Sequence, residues 1–188
     1  MQRTVFSARA SVLAIAIAAA GALSSAGMTS ALAASSGGSS GGTSTTQCKE
    51  GMVWNQSKGI CEKASSGLFD DKTLYEQGRD LALAGEYGKA LVLFDAIRDK
   101  QDSDVLTMIG YAKRKSGAVE EGIGYYHQAL ALNPDNVNTR EYLGEGYVAM
   151  GRLDLAQAQL DRIASLCGDD CEQYLDLAAA MAGDTDWN

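Results

Sequence analysis

Proline occurs once in 188 residues, and histidine once. Proline interrupts helices, so a chain this poor in it is free to form long helical segments. A single imidazole leaves no material for a histidine-based metal centre or acid–base pair. Positive charge is also scarce: 16 Lys and Arg stand against 24 Asp and Glu, a net charge of −8. That balance argues against nucleic acid or an anionic membrane surface as a partner, since both need compensating positive charge. Nucleophile-elbow, phosphate-loop and calcium-loop motifs are missing, so no enzyme activity, cofactor or metal is expected. What is present is globular in kind. Apolar residues make up 46% and charged residues 21%, which excludes disorder throughout the chain.

Residues 1–33 have the parts of a secretory signal. Arg3 and Arg9 open it, Ser11 to Leu23 is an uncharged apolar run, and Ala31 and Ala33 are the small residues a signal peptidase reads. Cleavage is expected before Ala34. The apolar run is shorter than the ~20 residues of a spanning helix, so no stable membrane span is expected after cleavage. The mature chain is then expected in the periplasm or outside the cell. It loses two arginines and no acid, and becomes more acidic still. Residues 34–47, rich in Ser, Gly and Thr, read as a flexible linker.

Export changes the meaning of the four cysteines, since an oxidising compartment pairs them. Three pairings are possible. Joining nearest neighbours, Cys48 to Cys61 and Cys167 to Cys171, is the one compatible with a linker-like joint at 62–70. The first bridge would close a hairpin over residues 48–63, with Met52-Val53-Trp54 as one strand and Ile60 on the return. Such a loop gains roughly 3 kcal/mol from the bridge. Trp54 then either covers the hairpin, docks on the next element or stacks on a glycan. The second bridge would staple the last helix to its predecessor. A redox pair of the thioredoxin type has two intervening residues, whereas three separate these cysteines. A four-cysteine zinc site fits by count but not by spacing.

From Asp71 onward the chain repeats. Gly78, Gly110 and Gly144 are each followed seven residues later by Gly85, Gly117 and Gly151. Ala90, Gly122 and Ala156 come next, then Phe94, Tyr126 and Leu160, then Ile97, Ala129 and Ile163. Small residues recur where helices must approach, and large ones where the gap must be filled. The spacing predicts helix pairs at 71–84 with 87–100, 103–116 with 119–131, and 137–150 with 153–166. A last helix is expected at 172–182, capping the apolar face around Leu153, Ile163 and Leu166.

This pattern resembles the tetratricopeptide repeat, a helix-turn-helix unit of 34 residues. The second unit matches best, through Gly110, Gly117, Ala129, Leu130, Leu132 and Pro134. The tryptophan found near the start of the family's units is replaced by Leu74, Leu106 and Arg140. The resemblance implies an all-α fold: three repeats and a capping helix over 64–183, a tail at 184–188, and the disulfide hairpin in front. It also implies a concave face lined by the first helix of each pair, which holds a peptide or protein partner. By register that face carries Tyr75, Arg79, Thr107, Tyr111, Arg114, Glu141, Tyr142 and Glu145, unless some of these pack between helices. Arg79 and Arg114 would meet a partner's carboxylate. The lysine and asparagine clamp of some members is replaced by Tyr75 and Arg79. The rival expectation is an envelope or glycan-attached protein that binds through the Cys48–Cys61 hairpin, with the repeats as scaffold.

Overall fold

The computed structural model describes residues 48–65 and 67–184. The expected signal segment, the linker up to Gln47 and the tail beyond Asp184 lie outside the described residues. The described chain begins with two antiparallel strands, β1 (Met52–Asn55) and β2 (Ile60–Lys63), in which Trp54 pairs with Cys61. Asn55 holds the turn between them, its Oδ1 accepting from the Lys58 amide at 3.1 Å. The Cys48–Cys61 disulfide closes the hairpin, and Cys167–Cys171 forms the second bridge.

Three helix pairs follow: α1 (Asp71–Leu83) with α2 (Tyr87–Ala96), α3 (Ser103–Lys115) with α4 (Val119–Leu132), and α5 (Val137–Ala149) with α6 (Leu153–Cys167). A final helix, α7 (Glu172–Ala182), packs on α5 and α6. Helix starts follow capping chemistry. Asp70 accepts from the Thr73 amide at 2.7 Å, Asp102 from the Asp104 amide at 2.7 Å, and Asn136 from the Thr139 amide at 3.1 Å. The turn inside the second pair needs Gly117, whose φ of 99° a side chain would resist. Helices α1, α3 and α5 contact one another in sequence and form the inner layer, with α7 against α5.

The repeated small and large residues meet as their spacing predicts. A Cβ on Gly78 would stand 2.6 Å from the Phe94 ring, and one on Gly110 would stand 2.7 Å from the Tyr126 ring. Phe94, Tyr126, Ile97, Ala129 and Ile163 are buried. The third pair departs from this register. Gly144 is met by Leu177 of α7, with a Cβ there only 2.5 Å from the leucine's methyl group. Leu160 is smaller than Phe94 or Tyr126, and the cap inserts a side chain at the equivalent place.

Two expectations need correction. Helix α2 ends at Ala96 rather than 100, because the Asp71 carboxylate accepts the Arg98 and Asp99 amides at 3.2 Å each and draws the chain out of the helix. Leu153, expected beneath the cap, is 51% exposed. The cap instead joins Leu160, Ile163 and Leu177 in one cluster, flanked by Tyr174 and Met181.

The hairpin does not stand apart from the helices. Val53 is fully buried in the core of the first pair, with Leu74, Leu81 and Phe94. Gln77 of α1 extends the pairing. Its side chain accepts from the Trp54 amide at 2.9 Å and donates to the Trp54 carbonyl at 2.8 Å.

Candidate functional site: the concave groove

The inner helices leave a depression of about 400 Å³ lined by Tyr75, Arg79, Thr107, Glu141, Tyr142 and residues of α7. A second hollow of about 230 Å³ lies alongside, with Tyr111, Lys115, Glu145, Leu83 and again Glu141, Tyr142 and Asp176 on its wall. The two share those last three residues and form one groove along α1, α3, α5 and α7. Of the eight residues that the repeat register puts on this face, seven therefore border it.

Arg114 does not. It is 7% exposed, its guanidinium paired to Glu145 of α5, with Nε donating to the Tyr126 hydroxyl at 3.2 Å. Two glycines admit it. A Cβ on Gly122 would stand 2.9 Å from the Arg114 Cβ, and one on Gly146 would stand 3.4 Å from its Cδ. Its charge is thus taken up inside the fold, which corrects the expectation that it meets a partner's carboxylate. Glu145 is spent in the same pair; burial pushes its carboxyl up and Arg114 pulls it back. Thr107 is likewise an interior residue. Its Oγ1 donates to the Ser103 carbonyl at 2.7 Å and lies 2.6 Å from Thr139 Oγ1, linking α3 to α5.

The tyrosines form the floor. Tyr111 and Tyr142 have ring centroids 5.1 Å apart, and Tyr142 lies 6.4 Å from buried Tyr126. Burial raises the pKa of Tyr75, Tyr111 and Tyr142, so all three remain neutral donors.

Glu141 is the odd member. It is only 7% exposed, and no hydrogen bond or ion pair reaches its carboxylate among the described residues. Burial first, and then Glu145, Asp176 and Glu172, push its pKa up to about 8, against a smaller pull from Arg114.

Sequence reasoning missed the wall contributed by α7. Glu172, Gln173 and Asp176 border the groove, with Asp104 and Asn138 at its edge. Glu172 and Asp176 are four residues apart, opposite the apolar stripe of the cap. That polar stripe is the signal the sequence carries for this wall. Among the described residues, no group of three His, Cys, Asp or Glu is placed to hold a metal ion, and no helix is long and apolar enough to cross a membrane.

Stacked helix pairs with a concave inner face define a helical-repeat interaction scaffold. A family model described as tetratricopeptide repeat matches residues 113–181. Among solved structures, a MamA crystal structure aligns with TM-score 0.52 and 20% identity, over 64% of this chain and 73% of its own. The translocator chaperone SycD of the Yersinia enterocolitica type III secretion system aligns with TM-score 0.52 and 18% identity, over 61% and 87%. An AMB-1 MamA is 31% identical over 62% of this chain and 71% of its own, with TM-score 0.48. No curated protein sequence matches. Residues 113–181 thus match the tetratricopeptide repeat, and the stacked helix pairs support a protein–protein interaction module.

Proposed function

We propose that this protein is exported and holds an extended segment of a peptide or protein partner in the groove along α1, α3, α5 and α7. The observation that carries this reading is the arrangement of Tyr75, Tyr111, Tyr142 and Arg79. These residues come from three different helices and border one continuous depression. Tyrosine offers rigid contact area with a polar tip, and exposed Arg79 has no ion pair among the described residues. Binding in this reading needs no catalysis. Export rests on the charged, apolar and small-residue parts of residues 1–33.

Photocrosslinking in cells of the source organism tests the groove. A photoreactive amino acid at Arg79 is expected to capture a partner, whereas the same group at Gln128 on exposed α4 captures none. Capture from Gln56 in the hairpin turn, with none from Arg79, would replace the groove by the hairpin as the binding element. Export is tested by the N-terminal mass of the protein recovered from the envelope and medium. A mature chain starting at or near Ala34 is expected, and a retained Met1 in a cytoplasmic fraction would refute it.

A further inference from the structure

The groove has a charge that the repeat register alone does not announce. Asp104, Glu141, Glu172 and Asp176 border its larger hollow, and among the described residues Arg79 is the only basic one there. The smaller hollow is bordered by Glu141, Glu145 and Asp176 together with Lys115. Arg114 does not balance them, since it is already paired to Glu145.

Acidic residues alone are commonplace on a chain of net charge −8. Glu141 is different in kind. The residue is more than nine-tenths buried at the groove floor, no donor reaches its carboxyl group among the described residues, and its oxygens keep access to the solvent of the groove. A carboxyl group so largely enclosed is costly to ionise, and a cation that reaches it favours the ionised form. The pKa of Glu141, raised to about 8, expresses that cost. Among the described residues the acids are not placed to converge on a metal ion, whereas the stem of a lysine or arginine is long enough to bring a cation to the groove floor. Met108 and Tyr142 supply apolar surface beside Glu141 for such a stem.

We infer that the groove recognises a basic segment, and that a lysine or arginine side chain of the partner enters beside Tyr142 to meet Glu141, with Asp176 and Glu172 as the outer acidic wall. This rests on the groove reading above and gives it a chemical class of partner.

The test uses the full chain and three blocked heptapeptides, acetylated and amidated, in which alanine alternates with lysine, glutamine or glutamate. Binding is followed by fluorescence anisotropy at moderate salt. The lysine peptide is expected to bind at least roughly tenfold more tightly than either counterpart. Glu141→Gln is expected to weaken it by roughly tenfold, and Asp176→Asn by a smaller factor. Glu120→Gln removes one charge from an exposed position on α4 and is expected to change binding by less than about twofold. Thermal melts of each variant report folding alongside.

If Glu141→Gln and Glu120→Gln weaken binding equally, the attraction is that of overall charge and the inference is overturned. Preference for the glutamine or glutamate peptide, lost on substitution of Arg79, also overturns it but leaves the groove reading standing. Binding of none of the three overturns it as well, and the groove reading then stands or falls on the crosslinking result. Lysine-peptide binding indifferent to Glu141, Asp176 and Arg79 together would sink both.

Discussion

Gln77 and Trp54 are joined by two hydrogen bonds, through which a helix side chain imitates a neighbouring strand. The Gln77 amide accepts from the Trp54 N–H at 2.9 Å and donates to the Trp54 carbonyl at 2.8 Å. Gln77 is 5% exposed, so water cannot readily replace it. Gln77→Ala leaves both backbone groups without their partner, at a cost of about 1–3 kcal/mol. Urea denaturation measures the loss, and hydrogen exchange at the Trp54 amide is expected to quicken. An unchanged exchange rate would show that Val53 alone anchors the hairpin.

One insertion anchors the capping helix to α5, beside its packing on α6. Leu177 fills the space that Gly144 leaves open and is fully buried. Leu177→Ala is expected to cost about 2–5 kcal/mol through lost burial and a residual cavity. Gly144→Ala places a methyl group against that side chain and should cost about 1–3 kcal/mol. Truncation after Cys167 uncovers Leu160 and Ile163 and is expected to cause association, seen by sedimentation.

Arg114 and Glu145 are buried together, at 7% and 3% exposure. Removing one leaves the other's charge without compensation in the interior. Arg114→Ala is therefore expected to destabilise the array by about 3–5 kcal/mol. Thermal melting checks this, and a melting temperature equal to the parent's would show that the pair is dispensable.

Glu141 makes stability fall as pH rises. Its folded pKa of about 8 lies above the ordinary carboxylate value of 4.5. Between those values the folded state holds a proton that the unfolded state has released, so its contribution declines from about pH 4.5 to about pH 8. The neutral isostere cannot lose that proton. Glu141→Gln is expected to raise stability by roughly a few kcal/mol at pH 8 and by little at pH 4.5. Denaturation at the two pH values provides the comparison, and an equal gain at both would show that Glu141 is ionised throughout.

Reduction should separate the two disulfides. Cys48 is 3% exposed, whereas Cys167 is open to solvent. Alkylation under a mild reductant, read by mass spectrometry, is expected to label Cys167 and Cys171 first. Labelling of Cys48 and Cys61 at the same rate would mean that the hairpin opens freely from α1.

The helix pairs were legible because their information is local. Asp70, Asp102 and Asn136 begin helices, Gly85, Gly117 and Gly151 turn them, and the alternation of small and large residues records which faces touch. Repetition made that record readable three times, and close packing allows few other registers. The nearest-neighbour disulfides were legible for the same reason, since each lies within a short loop. The groove was legible as a face but not as a chemical environment. Register puts Arg114 and Tyr111 on one inner helix; only packing decides that Gly122 and Gly146 let the arginine sink onto Glu145. Likewise, nothing local says that Leu177 substitutes for Leu160 at Gly144, or that Val53 enters the core of a helix pair. Charge at a site is a sum over elements distant in sequence. Glu141 lacks a donor because Arg114 of α3 is already engaged and α7 brings two more acids, and that sum exists only once the helices are stacked.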